Sequence, residues 1–183
     1  MAHGALIERG HRRLEWGLTL CLSRKLHNEI NSGAIARSLH PLPMPPVSDE
    51  KTSAPPEVTV VIPCLNEART VGECVACALA ALKSSGIAGE VLVSDNDSQD
   101  GSRERAIAAG ARVLRVRQRG YGSALMAGIA EARSPFVIMG DADGSYDFGE
   151  VPRLVAKLRE GYDLVQGCRL PAGGGSVEPG AMP

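Results

Sequence analysis

Two aspartates separated by one small residue, Asp141 and Asp143, follow the apolar run at residues 136–139. A short apolar run of this kind predicts a buried strand, which would deliver both carboxylates to its own carboxyl end. Ligands of open α/β sheets bind at that end, and carboxylate oxygens are hard ligands suited to a divalent cation. The spacing therefore predicts a site for a cation that carries a phosphorylated substrate.

Polar residues also follow two other predicted strands. Pro63, Asn66 and Glu67 come after the first strand, and Asp95 with its polar neighbours comes after the second. Each group alone is explained by turn formation, because Asp, Asn, Ser and Gly are common in turns. Their joint occurrence at successive strand ends predicts that a doubly wound sheet gathers them into one crevice.

The elements that would position these residues alternate along the chain. Apolar and β-branched runs predict strands at 58–62, 90–94, 113–116, 136–139 and 164–165. Pro63 is expected to end the first strand, and a capping box of Thr70 and Glu73 is expected to open the first helix. Strands that alternate with helices predict an α/β domain with a mainly parallel sheet and helices on both faces.

Composition limits the class of protein. The chain has 183 residues, 44% of them apolar, which suffices for the core of one domain. With 20 basic and 21 acidic residues its net charge is -1, so nothing indicates bulk attraction to nucleic acid or to an acidic membrane. No run reaches the roughly 18 apolar residues of a transmembrane segment, which predicts a soluble or peripheral protein. An odd number of cysteines, 5, favours a reducing cytoplasmic compartment.

Residues 1–57 differ from the rest and are interpreted as an extension. An amphipathic helix is predicted from the apolar spacing of Leu14, Leu18, Cys21, Leu22 and Leu26. It is interpreted either as a docking helix or frayed extension or as an interfacial membrane helix. A proline-rich linker follows it, then the domain at 58–170 and a Gly/Pro-rich tail at 171–183. Met44 lies shortly before the domain, so Met1 and Met44 are both candidate starts.

Four segments, in this order, resemble one known family: VTVVIPCLNEARTVGECV, EVLVSDNDSQDGS, GYGSALMAGIAEA and FVIMGDADGSYDF. They are similar to the family 2 glycosyltransferases, and more narrowly to the branch with dolichyl-phosphate mannose synthase and related polyprenyl-phosphate sugar transferases. The similarity covers roughly residues 58–170. It implies the Rossmann-like GT-A fold and, because family members continue further, a chain that is incomplete at its carboxyl terminus.

The resemblance also implies roles for single residues. Pro63, Asn66 and Glu67 would form the loop around the nucleoside, and Asp95 would accept a hydrogen bond from the base. Asp141 and Asp143 match the family's D-x-D motif, whose carboxylates hold Mg²⁺ or Mn²⁺ against the donor diphosphate. Which of the two binds the metal directly stays open.

Three further positions are assigned to the diphosphate. Arg169 matches an arginine that contacts phosphate in the family, although the preceding residue, Cys168, stands where the family usually has serine. Arg169 and Asp143 are the candidate catalytic residues. Gly120 and Gly122 could offer backbone N–H groups at a helix amino terminus, but an ordinary turn explains them equally well.

The resulting hypothesis is a metal-dependent transfer of sugar from a UDP- or GDP-sugar to a polyprenyl phosphate, with inversion, at the cytoplasmic face of a membrane. A phosphate acceptor is already ionised, which agrees with a domain that contains no histidine as a general base. The alternative is a truncated, non-catalytic remnant or partner subunit that only binds nucleotide sugar. A dinucleotide-dependent oxidoreductase is disfavoured, because residues 63–66 stand where its glycine fingerprint would be.

Overall fold

The structure, a computed structural model, describes residues 20–23 and 55–167. Its strands are β1 (Leu20–Ser23), β2 (Val58–Cys64), β3 (Gly89–Asp95), β4 (Arg112–Arg115), β5 (Phe136–Met139) and β6 (Leu164–Gln166). Its helices are α1 (Val71–Ser84), α2 (Ser102–Ala108), α3 (Tyr121–Glu131) and α4 (Val151–Arg159), and a 3₁₀ turn at Phe148–Glu150 leads into α4. None of these helices combines the length and apolarity that a membrane span requires.

The described strands form one sheet in the order β4-β3-β2-β5-β1-β6. β2 pairs in parallel with β3 on one side and β5 on the other, and β4 pairs in parallel with β3. β1 is antiparallel to both β5 and β6, so β6 runs in the same direction as β5. The predicted α/β class with a mainly parallel sheet is confirmed.

Alternation along β2 divides its side chains between two layers. Val60 and Ile62 pack in the core cluster that includes α1, whereas Val61 packs with Ile129 of α3 on the opposite face. Because strand residues alternate between faces, a run of consecutive apolar residues predicts a strand covered on both sides. α2 and α4 add residues to the α1 side, so the prediction of helices on both faces is confirmed.

Helix α3 lies unusually close to the sheet at Gly128. A Cβ atom built on this glycine would lie 2.3 Å from Ser94 Oγ and 2.4 Å from Val61 Cγ1, well inside van der Waals contact. Only a residue without a side chain allows this approach. Gly128 therefore sets the distance between α3 and the central strands.

The helix predicted in the amino-terminal extension is wrong at Leu20–Ser23, which form strand β1 between β5 and β6. Over four residues the sequence pattern does not distinguish a helix from a strand, and pairing with two distant strands decides the conformation. The rest of that predicted helix, the linker up to residue 54, both candidate start residues and the tail at 171–183 lie outside the described residues.

The prediction that Pro63 ends the first strand is also wrong. The strand does not stop at Pro63 but continues through it to Cys64, paired with Ser94 and Asp95 of β3. Val61 accepts a hydrogen bond from Gly140 on the β5 side, and two residues later Pro63 faces that same side, where the ladder has ended. A proline therefore removes no ladder hydrogen bond there.

The expected capping box is absent as well. Thr70 is the N-cap of α1, but its side chain makes no capping hydrogen bond; its hydroxyl lies 3.5 Å from the Glu67 carbonyl and 3.4 Å from Glu67 Oε2. The Glu67 carbonyl accepts the backbone N–H groups of Thr70 and Val71. The backbone N–H groups at the start of α1 thus find a hydrogen-bond partner within the preceding turn, and the turn holds Glu67 next to α1.

Candidate functional site

The carboxyl ends of β2, β3, β4 and β5 lie at one edge of the sheet, because these strands are parallel. The chain leaves β2 towards β3 on one side and later returns to β5 on the other side of β2. A crevice opens at such a reversal of strand order, and it is where doubly wound sheets bind ligands. Asn66 and Glu67 follow β2, and Asp141 and Asp143 follow β5, so they flank this crevice.

The loop after β2 is fastened to the loop after β3. Asn66 adopts a left-handed backbone conformation, with φ of 59°, and the two loops share several hydrogen bonds between a side chain and a backbone N–H. The backbone N–H groups of Asn66 and Glu67 donate to Ser98 Oγ and Ser102 Oγ, that of Ala68 donates to Asp100 Oδ2, and that of Gln99 donates to Asn66 Oδ1, each at 2.9 Å.

Asp100 holds both loops at once. Besides Ala68 it accepts hydrogen bonds from the hydroxyl and the backbone N–H of Ser102. The hydrogen bond from the Ser102 hydroxyl and that from Ala68 lower the pKa of Asp100, so the carboxylate stays ionised at neutral pH. The predicted nucleoside loop is therefore held in shape by the loop that carries Asp95.

Asp95 ends β3 and has 0% of its surface exposed. Its two carboxylate oxygens accept the backbone N–H of Ser98 at 3.3 and 3.2 Å, and Arg103 Nε lies 3.4 Å from Oδ2. A buried carboxylate with a cationic partner and backbone donors is compensated electrostatically. These contacts are structural; the contact with a base remains a prediction.

Asn96 connects the same edge to the loop after β4. It is 4% exposed, and its Nδ2 donates to the carbonyls of Val116 and Gln118 at 3.0 and 2.7 Å. Its Oδ1 accepts the N–H of Gly120 at 2.7 Å, while its own backbone N–H donates to Cys64. An amide side chain is needed here, because a carboxylate could not donate to two carbonyls.

The neighbouring Asp97 has a φ of 70°, the left-handed conformation for which glycine is better suited. Arg115 of β4 donates to its Oδ1 at 2.6 Å, and this hydrogen bond lowers the pKa of Asp97. The ion pair fixes the tip of the loop after β3 to the neighbouring strand.

Asp141 and Asp143 lie in a turn directly after β5. The hydroxyl of Tyr121, the first residue of α3, donates to Asp141 Oδ1 at 2.8 Å, and the N–H of Ser145 donates to Asp143 Oδ1 at 2.8 Å. Partial burial and the adjacent Asp141 carboxylate raise the pKa of the Tyr121 phenol, so it is protonated at neutral pH and acts as the donor. Each carboxylate thus has at least one oxygen held by a protein group.

The same turn is supported from below by α1. The thiol of Cys74 lies 3.6 Å from the carbonyl of Ala142, which separates the two aspartates. A Cβ atom placed on Gly144 would lie 3.9 Å from Thr70 Cγ2, so the turn also contacts the start of α1. The turn after β5 and the loop after β2 are therefore direct neighbours.

The donor set around this turn suits Mg²⁺ or Mn²⁺ bound together with a phosphorylated ligand. Within residues 20–23 and 55–167, no three His, Cys, Asp or Glu side chains cluster closely enough to hold a metal ion by themselves. Mg²⁺ keeps several waters and is commonly bound by one or two carboxylates plus substrate phosphates. Asp141 and Asp143 supply that number of carboxylates.

Most of the site residues predicted from sequence meet at this edge: Asn66, Glu67, Asp95, Gly120, Gly122, Asp141 and Asp143. Pro63 is buried within β2 beneath them, Gly120 with φ of 123° is the N-cap of α3, and Gly122 lies in its first turn. Arg169 lies outside the described residues. The positions agree with a shared crevice, and the individual roles remain predictions.

Sequence reasoning missed Asn96 and Tyr121. Asparagine is a residue type common in turns, and Tyr121 stands between two glycines in a predicted turn. Neither residue therefore indicates a function by its type alone. The polar partners of both residues lie about 20 positions away along the chain, for example Gly120 for Asn96 and Asp141 for Tyr121. Only the folded arrangement shows what they bind.

Comparison with known proteins gives one family match and several relatives. The family model described as "Glycosyl transferase family 2" matches residues 59–181. An uncharacterized glycosyltransferase of Mycobacterium tuberculosis is 46% identical over 117 residues, which are 64% of this chain and 50% of the relative. The undecaprenyl-phosphate 4-deoxy-4-formamido-L-arabinose transferase of Salmonella enteritidis is 37% identical over 116 residues, 60% of this chain and 36% of that enzyme.

Among solved structures, glucosyl-3-phosphoglycerate synthase from Mycobacterium tuberculosis, crystallised with Mn²⁺, uridine-diphosphate-glucose and phosphoglyceric acid, aligns with a TM-score of 0.49 at 29% identity. The alignment covers 56% of this chain and 39% of that structure. This chain spans half or less of each protein compared. The family match covers more than half of the chain, including every described strand end of the crevice, and the chain belongs to glycosyl transferase family 2.

Proposed function

We propose that this protein transfers a sugar from a UDP- or GDP-sugar to a polyprenyl phosphate, with a divalent cation bound by Asp141 and Asp143. The observation that carries the proposal is the placement of two aspartates after β5 beside the loop after β2, at the reversal of strand order. Membership of the glycosyl transferase family defines the reaction class. The name of the Salmonella relative supports a polyprenyl phosphate as the acceptor.

In the proposed reaction an ionised oxygen of the acceptor phosphate forms a bond to the anomeric carbon of the sugar. The bond from that carbon to the donor diphosphate breaks, its electron pair stays on the diphosphate, and the configuration at carbon is inverted. Because the acceptor oxygen is already anionic, no side chain has to remove a proton. A cation on the departing diphosphate would stabilise the negative charge that develops there.

The residues of this chain would bind and orient the donor. Asn66, Glu67 and Asp95 would surround the nucleoside, with Asp95 accepting a hydrogen bond from the base. The amino terminus of α3, at Gly120 and Gly122, would offer N–H groups and a positive dipole end to the diphosphate. Arg169 keeps its predicted contact with phosphate.

The acceptor defines the place of action. A polyprenyl phosphate resides in a membrane, so an enzyme that draws nucleotide sugars from the cytoplasm would act at the cytoplasmic face. Peripheral association would suffice, since the acceptor phosphate lies at the membrane surface.

A transfer assay with radiolabelled UDP- and GDP-sugars and polyprenyl phosphate tests the proposal on the full chain. We expect transfer that EDTA abolishes and Mn²⁺ or Mg²⁺ restores. Asp141→Asn and Asp143→Asn should each lower transfer by about 100-fold or more, because a cation that stabilises the leaving group is worth several kcal/mol. Transfer that persists in EDTA would contradict the assigned role of both aspartates.

The matched control is Glu160→Gln, which removes one carboxylate charge after α4, where Glu160 forms a surface ion pair with Lys157. Such pairs contribute little, so this variant should transfer sugar like the wild type. Calorimetric titration with the same nucleotide sugars, compared with the transfer assay, distinguishes the proposed enzyme from a protein that only binds nucleotide sugar. Donor binding without any transfer would contradict the proposal and indicate a nucleotide-sugar-binding protein.

A further inference from the structure

The contact between Tyr121 and Asp141 joins two parts of the site that come from different loops. Tyr121 follows Gly120 at the start of α3, and Asp141 follows β5. The phenol oxygen lies 2.8 Å from Asp141 Oδ1, an ordinary distance for a hydroxyl that donates to a carboxylate. Tyr121 is 60% exposed, so packing in a core does not explain its position.

Helix α3, which carries Tyr121, is fixed at its start and again further along its length. Asn96, buried in the loop after β3, accepts the N–H of Gly120, the residue directly before Tyr121. Further along α3, the absence of a side chain at Gly128 lets the helix contact Ser94 and Val61 of the sheet. The hydroxyl is therefore carried by a helix whose start and middle are both fixed.

The carboxylate that Tyr121 contacts would otherwise be free to rotate. Among the described residues Tyr121 is the hydrogen-bond partner of Asp141, and it uses Oδ1. Oδ2 has no hydrogen-bond partner in that part of the chain. Asp143 is held in the same way, by the N–H of Ser145 on its Oδ1. Both aspartates thus accept a hydrogen bond from a protein donor at Oδ1.

We propose that Tyr121 is a positioning residue that orients Asp141 for the cation. Its hydroxyl fixes Oδ1 and leaves Oδ2 to bind the metal ion. This inference rests on the proposed function, because it assumes the cation site at Asp141 and Asp143. Donors that orient a ligating carboxylate commonly contribute 10–100-fold to metal affinity or activity.

The test is a titration of the full chain with Mn²⁺ in the presence of UDP, followed by the electron paramagnetic resonance signal of free Mn²⁺. We expect Tyr121→Phe to weaken Mn²⁺ binding about tenfold, the lower end of that range, because the pair is exposed to water. UDP affinity without metal should stay at the wild-type value. In the transfer assay, excess Mn²⁺ should restore the turnover of Tyr121→Phe, which a general loss of structure would not allow.

Tyr162→Phe is the matched control. Tyr162 is a partly buried tyrosine that packs against the α1-side core, between α4 and β6, away from the carboxyl ends of the strands. It should bind Mn²⁺ like the wild type. A urea unfolding midpoint of Tyr121→Phe that equals the wild-type midpoint will confirm that the variant is folded.

The outcomes separate this inference from the function on which it rests. If Tyr121→Phe binds Mn²⁺ as tightly as the wild type or more tightly, while Asp141→Asn loses binding, the positioning role is wrong and the proposed cation site stands. If the wild-type chain itself binds no Mn²⁺ with UDP, both are wrong.

Discussion

At the amino-terminal end of the sheet, polar side chains mostly bind one another, although Arg112 also donates to the carbonyl of Glu131 and Ser134 to that of Phe136. The guanidinium of Arg112 donates to both oxygens of Glu90 at 3.0 and 2.9 Å, and the Thr59 hydroxyl donates to the same carboxylate. The hydroxyl of Ser134 lies 2.8 Å from that of Thr59. We call these four residues the amino-end network. At the carboxyl end, by contrast, the side chains of Asn66, Asn96, Ser98, Asp100 and Ser102, the carboxyl-end network, bind mostly backbone groups of loops.

The difference shows where a hydrogen bond shapes the site and where it only stabilises the fold. When two side chains satisfy each other, removing one changes the energy of that pair and leaves the backbone in place. A side chain that binds backbone N–H and carbonyl groups determines the path of the loop itself. We therefore expect changes in the amino-end network to affect stability alone, and changes in the carboxyl-end network to affect stability and donor binding together.

The largest effect is expected from Asn96→Ala. It leaves the carbonyls of Val116 and Gln118 and the N–H of Gly120 without their side-chain partner. Unsatisfied buried polar groups cost about 1–3 kcal/mol each, and entry of water would offset part of this, so a loss of about 2–4 kcal/mol is expected. Urea unfolding measures the loss, and calorimetry with UDP should show weaker binding in the folded variant.

Gln99→Ala is the control for that prediction, since Gln99 is an exposed residue of the same loop whose side-chain amide donates to the carbonyl of Asp97. Its stability and its affinity for UDP should remain close to wild type. Unchanged UDP affinity in Asn96→Ala would contradict the proposed difference between the two ends.

An intermediate effect is expected from Glu90→Gln in the amino-end network. Burial raises the pKa of Glu90, but the hydrogen bonds and positive charge of Arg112, with the bond from Thr59, outweigh it, so the pKa is lowered. We expect a loss of about 1 kcal/mol at pH 7 and wild-type affinity for UDP. Weakened UDP binding in this variant would contradict the proposal that the amino-end network affects stability alone.

The same variant gives a pH test. A carboxyl whose pKa is lower in the folded protein than in the unfolded chain contributes its stability above the unfolded value, here near 4.5. That contribution is lost as the pH falls through the folded value. The stability difference between wild type and Glu90→Gln should therefore shrink as the pH falls from about 5 to 3.

The smallest effect is expected from Arg159→Gln. Arg159 binds both oxygens of Glu57 at 2.7 Å, and hydrogen bonds from Arg159 lower the pKa of Glu57. The pair lies at the surface, so we expect a loss of about 0.2–1 kcal/mol, smaller still at high salt. Urea unfolding at low and high salt measures the change in the free energy of unfolding. A loss of stability larger than that of Glu90→Gln would contradict the predicted order of effects.

Sequence patterns predicted the features that depend on neighbouring residues. The run from Val58 to Ile62 is β-branched throughout and apolar except for Thr59, which predicts a central strand, and both of its faces are covered. Asp141 and Asp143 follow such a strand, so their place at the carboxyl edge follows from chain direction. Their closeness to Asn66 and Glu67 follows from the order of the strands in a doubly wound sheet.

Features set by distant partners could not be predicted in this way. β1 is a strand because β5 and β6 offer pairing groups on both sides, and both are more than 100 residues away. Asn96 and Tyr121 bind groups in other loops, and their residue types are common in turns. Thr70 and Glu73 have the spacing of a capping box, yet Thr70 turns to Glu67 instead.

The close approach of α3 to the sheet has a consequence for engineering this protein. A single methyl group at Gly128 would force the helix axis away from Ser94 and Val61. Tyr121 lies seven positions earlier on the same rigid rod, about 10 Å along its axis. A substitution at residue 128, beneath α3 and remote from the proposed ligands, would thereby displace the hydroxyl that contacts Asp141. Variant libraries aimed at the proposed cation site should therefore keep residue 128 fixed or vary it deliberately.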